Sequence, residues 1–178
     1  YPFIITFSPM DSVLRFHDLY KQAARQQGYE ASGEQLGWAV PIYVGDTDES
    51  AYKEAAIHYE NFRNSFLKMP VQMLLPPGYT SRESLKAIAA AKSDIGTATD
   101  AKRAMDLGMF ICGSAKTVRE QLIDYTKQLG FGNLLVMCQF GTLPADLTKR
   151  NMERFAESVI PGVRKASREL YGEEVAIA

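Results

Sequence analysis

The sequence is short of the residues that most often carry chemistry. It holds two cysteines, two histidines and one tryptophan among 178 residues. Cys112 and Cys138 cannot make a disulfide framework, and a reducing, cytoplasmic setting fits that usage best. No HExxH, CxxC or paired-carboxylate spacing occurs, so a metal site or a glycosidase pair has no support and no metal is expected. GxSxG is missing too, and with it the serine hydrolase signature. An excess of one charge is also lacking. At a formal net charge of −1, neither nucleic acid nor an anionic membrane is expected as a main partner. The apolar runs are far too short to span a bilayer, and the first residues show no signal-peptide pattern.

What is present is ordinary globular composition, 46% apolar and 23% charged, which argues against disorder. The length suits one domain with a sizeable core. The chain opens directly in a strand pattern, Pro2–Phe7, and a buried-looking strand at residue 1 suggests that it is part of something larger. Ser8, Pro9 and Asp11 or Ser12 then signal a turn and a helix N-cap. Val13, Phe16, Leu19, Tyr20 and Ala23 give that helix an apolar stripe, and Gly28 stops it. A second strand, Gln35–Val44, contains Pro41, which costs a ladder donor and predicts a bulge or a gap in pairing. Thr47 or Asp48 caps a second helix, which runs from about Glu49 to Phe66.

From Lys68 to Asp100 the period is lost among Pro70, Pro76, Pro77 and Gly78. Such a stretch in a compact domain is usually a lid or binding loop. A short helix at 101–107, the brief apolar segment MFICG and a helix from about Lys116 to Leu129 come next. The run Leu134–Cys138, bounded by Gly132 and Gly141, reads as a strand buried on both faces. Pro144 then opens a helix that Pro161 should kink. Alternation of this kind predicts an α/β fold with three parallel strands. Three strands cannot close a barrel, and an open sheet of three would leave apolar edges exposed.

In parallel sheets ligands gather where strands end, which directs attention to Gln139–Thr142. A neutral amide such as Gln139 can both donate and accept, as the edge of a heteroaromatic cofactor requires; it could equally cap its own loop. Tyr43 and Trp38 are core packing or pocket lining. Tyr79 and Arg82 are the candidate lid contacts. His17 and His58 read as surface or packing histidines, and Cys138 as a packed thiol. GSAKT at 113–117 looks like a phosphate loop but lacks the spaced glycines, so Ser114 reads as a helix cap, although an anion could still meet that N-terminus.

Four segments, PIYVGDTDESAYKEA, LLPPGYTSRESL, GSAKTVREQL and NLLVMCQFGTLPADLTKRNMERFAESVIPGVR, resemble the C-terminal half of bacterial-luciferase-like, flavin-dependent monooxygenases. The last is the most specific, with Arg150, Glu153, Phe155, Ala156, Val159 and Pro161 after a strand ending in QFG. GSAKTV departs from the commoner GSPETV at Ala115 and Lys116. The resemblance implies one partial domain over 1–178, the C-terminal half of a TIM (β/α)8 barrel, with 68–100 as the lid-like insertion. It implies reduced FMN, or deazaflavin in one branch, reacting with oxygen and a small organic substrate. The implied partners are the N-terminal half of the barrel, a flavin reductase supplying reduced FMN, and further copies of the chain. Thr6, Ser8, Gln139, Phe140 and Gly141 would be the cofactor contacts, and Tyr43, Tyr79 and Arg82 the substrate or lid contacts, with no catalytic acid or base identified. A non-catalytic, structural or dimerising half-barrel is the alternative.

Overall fold

The computed structural model describes residues 1–67, 81, 83, 86 and 100–171. Among these residues four strands form one parallel sheet: β1 (Phe3–Thr6), β2 (Leu36–Gly45), β3 (Ile111–Ser114) and β4 (Asn133–Met137). The helices are α1 (Met10–Gln26), α2 (Asp48–Asn61), α3 (Ala101–Asp106), α4 (Ala115–Leu129), α5 (Ala145–Arg154) and α6 (Ile160–Tyr171). The parallel α/β reading is borne out, but the strand count is corrected from three to four. MFICG reads in the sequence only as a brief apolar segment, yet Ile111–Ser114 pairs with Ile42–Gly45.

β2 is the axis of the sheet and pairs with all three other strands. β1 and β4 both align with Gly37–Ala39, so they flank β2 on opposite edges. β4 parts from β2 after Pro41 meets Met137, and pairing with β3 begins at Ile42. On its other edge β2 passes from β1, which ends opposite Ala39, to β3, and the gap between them falls at Val40 and Pro41, where Pro41 withholds its ladder donor, as the sequence predicts. β4 itself is corrected: it is an edge strand, with Leu135 47% exposed, rather than one buried on both faces. An apolar run looks the same whether its faces are covered by this chain or left open.

The sheet is covered on both faces. Trp38, Val40, Ile42, Val44 and Ile111 pack with Val13 of α1 and with Val118 and Leu122 of α4. The intervening Tyr43, with Phe110 and Cys112, packs with Ala51, Ala55 and Tyr59 of α2. Because side chains alternate along a strand, these are opposite faces. A half-barrel would carry every helix on one face. Here α2 instead shields apolar side chains that would otherwise meet water; each fully buried aromatic or aliphatic side chain is worth about 1.5–3 kcal/mol.

Local signals set the helix ends. α1 starts at Met10 with Pro9, not Asp11 or Ser12, at its N-cap, and the Met10 amide donates to the Leu107 carbonyl at 2.9 Å instead of to a side chain. Gly28, at φ +83°, lies just past its end. Before Pro161 the helix widens into a π segment, Phe155–Val159. Pro161 has no N–H for the fourth carbonyl back, so the expected disturbance appears as a bulge in the helical ladder.

Candidate functional site

The carboxyl ends of β2 and β3 place two helix N-termini side by side. Thr47 caps α2, its hydroxyl accepting from the Ser50 amide at 3.1 Å. Ser114 caps α4 in the same way, accepting from the Thr117 amide at 3.3 Å. The Asp48 carboxylate then crosses between them, accepting from the Ser114 amide at 2.6 Å and the Thr117 hydroxyl at 3.0 Å. These donors hold its pKa below the ordinary 3.8, the Ser114 amide contributing most. Gly113 permits the approach, since a Cβ there would lie 2.8 Å from Asp48 Oδ1. The anion that meets the GSAKT helix is thus the chain's own Asp48.

Where β4 leaves β2, Asn151 of α5 takes over. Its side-chain oxygen accepts from the Val44 amide at 2.8 Å, and its nitrogen donates to the Ile42 carbonyl at 2.8 Å and the Cys138 carbonyl at 2.9 Å. Asn151 is fully buried. One helical turn on, Arg154 donates to the Val44 carbonyl and pairs with Asp46.

The loop after β4 folds onto the end of α2. Gly141, at φ +54°, sits so close that a Cβ would come within 2.2 Å of the His58 carbonyl. His58 Nδ1 lies 2.9 Å from the Thr142 hydroxyl. On the β1 side, Phe7 adopts φ +52° and lays its ring 5.6 Å from that of Phe62. Phe62, whose amide would lie 3.0 Å from a Cβ on Gly141, therefore links the ends of β1 and β4.

The expected contacts fall into two groups. Thr6 and Gln139 are exposed and Ser8 is half-buried; Ser8 donates to the Thr6 carbonyl at 3.2 Å and Gln139 to the Gly141 carbonyl at 3.3 Å. Phe140 and Tyr43 belong to the core. Phe140 meets Tyr59 and Phe110 edge-on, with ring centroids 6.3 and 5.4 Å away. The Tyr43 phenol donates to Glu54 at 2.6 Å, and burial pushes its pKa well above 10. Tyr79 and Arg82 lie outside the described residues, as does most of 68–100. Asp48, Asn151 and His58 were missed. Asp48 could have been suspected from an acid at the first turn of one helix facing a Gly-Ser cap on the next. Neither Asn151 nor His58 carried a local signal, because their partners lie far away in sequence. Among the described residues no cluster of histidine, cysteine or carboxylate side chains could hold a metal ion, and no helix is long and apolar enough to cross a membrane.

No family model and no curated protein matches the chain. Solved structures do. Monooxygenase RslO1 from Streptomyces bottropensis is 20% identical with a TM-score of 0.56, over 89% of this chain and 40% of its own. The oxygenating constituent of 3,6-diketocamphane monooxygenase from the CAM plasmid of Pseudomonas putida, a type II Baeyer-Villiger monooxygenase in complex with FMN, is 20% identical with a TM-score of 0.60, over 89% and 42%. EDTA monooxygenase from Chelativorans sp. BNC1 is 20% identical with a TM-score of 0.58, over 97% and 42%. The chain thus shares the fold of part of each protein and spans about two-fifths of its length.

Proposed function

We propose that the chain is the C-terminal half-barrel of a luciferase-like, flavin-dependent monooxygenase, one partial domain over 1–178, which uses reduced FMN and oxygen on a small organic substrate. The observation that carries this reading is the fold likeness to three monooxygenases, one holding FMN, each more than twice the matched length. The QFG and LP segments after β4 support it independently. Completing strands would add at the open edges of β1 and β4 and take over the face that α2 covers.

The described residues fit only part of a flavin. Gln139 and Ser8 offer polar groups near solvent for the ring edge, with Thr6 and Gly141 beside them. A phosphate finds no seat here: Asp48 closes the α4 N-terminus, and Arg154 is engaged by Asp46. The phosphate would be held by residues outside this described set, and no chemical step is assigned to the flavin through this chain. The contribution proposed for this half is orientation and exclusion of water, with 68–100 acting as lid. Deazaflavin would use the same surroundings, and the saturating cofactor tells the two apart.

The test is reconstitution with the N-terminal half of the barrel. Tight binding of reduced FMN and substrate-dependent oxygen uptake are expected. A completed protein that ignored every reduced flavin would end the proposal. One that assembled with its partner half but took up no oxygen with any substrate would leave the structural, dimerising role.

A further inference from the structure

We propose that the groove between α4 and α6 is a docking surface for an acidic, amphipathic segment of a partner protein. This inference is independent of the flavin reading, because the groove lies on the outer side of the helices that cover the Trp38 face of the sheet. A hollow of about 350 Å³ lies between α4 and α6, and a second of about 460 Å³, walled by α6 and the π segment before it, adjoins it across Lys165 and Glu169. At Gly162 an added Cβ would come within 2.4 Å of the Arg119 side chain, which passes over it to donate to the Ser158 carbonyl at 3.1 Å.

The lining is chemically two-sided. Ile123, Ile160, Ala166 and Leu170 supply apolar surface, and Leu170 is 43% exposed. Arg119, Lys127, Arg164, Lys165 and Arg168 supply five cations against the single acid Glu169. In a chain whose net charge is −1 this is a local concentration of positive charge, not an average surface. Glu169 stands 3.9 Å from Lys165 and so offsets one of them, while Lys127 and Arg168 have no ion-pair partner among the described residues.

Charge complementarity selects an acidic partner, and the apolar floor selects one that brings side chains to bury. A helix with leucines on one face and glutamates on its flanks satisfies both. Nucleic acid is less suited, since the lining holds no aromatic side chain on which a base could stack. A flat lipid surface cannot follow a concave floor.

The test uses the full chain and a fluorescent helical peptide with a leucine face and glutamate flanks, followed by anisotropy. Binding is expected, and the double variant Lys165→Glu/Arg168→Glu should weaken it about tenfold. Both positions are exposed, so the circular dichroism spectrum should not change. Failure of the peptide to bind, or equal binding by the charge-reversed chain, overturns the proposal. Equal affinity for an all-glutamate peptide, a DNA oligonucleotide or phosphatidylserine vesicles also overturns it, because the groove would then be a generic cationic face.

Discussion

Asn151 and Val44 are joined side chain to backbone at 2.8 Å, so one amide on a helix does the work of a missing strand. Beyond Pro41 the β4 edge of β2 has no ladder partner, and Asn151 serves the Val44 amide and the Ile42 carbonyl together. A buried backbone group left without a partner costs about 1–3 kcal/mol. Asn151→Ala should therefore lower stability by about 2–4 kcal/mol in urea denaturation. Asn151→Asp should be nearly as damaging, because it keeps the acceptor but loses the donor. An alanine variant within about 0.5 kcal/mol of the parent would show that water or a shifted strand replaces the side chain.

Much of this framework was legible in the sequence, and the failures share one cause. Periodicity and caps found α1, α2, α4 and the long final helix because helix signals are local: Gly28, Thr47, Ser114 and Pro144 stand beside the ends they set. Pro41 marked the break in pairing for the same reason. β3 was overlooked because four residues containing Gly113 carry too little pattern. Burial of β4 was overestimated because coverage is a property of neighbours. At the candidate site, Gln139 and Ser8 lie near solvent as a ligand contact must, while Tyr43 and Phe140 turned out to be core. An aromatic side chain at a strand end has the same identity whether it faces a pocket or a helix.

Gly141 is irreplaceable on two grounds, its φ of +54° and the 2.2 Å approach to the His58 carbonyl. The left-handed conformation alone costs a residue with a side chain about 1–2 kcal/mol, and the backbone contact cannot relax by turning a side chain. Gly141→Ala should destabilise the chain by about 2–3 kcal/mol or displace the loop. Hydrogen exchange of the amides around Thr142 and Phe62 checks this: their protection should fall before that of β2.

His17 is buried with Nδ1 and Nε2 each 3.3 Å from a carbonyl, those of Leu129 and Gly37. The charged ring could donate to both and the neutral ring to only one, yet desolvation outweighs these bonds and lowers the pKa below 6.5. The unfolded chain then binds the proton more tightly. The stability due to neutral His17 is fully present above pH 6.5 and is lost as pH falls from there through the lower folded value. Between pH 7.5 and 5.5 the parent should lose more stability than His17→Gln, in which this titration is absent. Parallel stability curves would contradict it.

Asp48 responds to acid with the same sign, in a lower pH range. Its pKa is depressed by the Ser114 amide and the Thr117 hydroxyl, so its stabilisation is present above the ordinary 3.8 and disappears as pH falls through the lower folded value. The carboxylate is largely exposed and screened, which limits the effect to about that of a helix cap, roughly 0.5–1 kcal/mol. Asp48→Asn should be less stable than the parent at pH 7 by that amount, and the gap should close below the carboxylate range. A gap unchanged at low pH would mean that shape rather than charge joins α2 to α4.

Gln139 and Phe140 are neighbours with opposite expected outcomes. Gln139 is exposed and donates to the Gly141 carbonyl of its own loop, so Gln139→Ala should leave thermal stability within about 0.5 kcal/mol of the parent. In the protein with its barrel complete, the same change should weaken reduced FMN by about five- to tenfold, the worth of one hydrogen bond. Phe140→Ala removes a ring packed against Tyr59 and Phe110 and should cost about 3–5 kcal/mol of folding stability. Anaerobic titration with reduced FMN, read beside chemical denaturation, separates the two. Loss of flavin affinity only in variants that also lose stability would remove Gln139 from the proposed site.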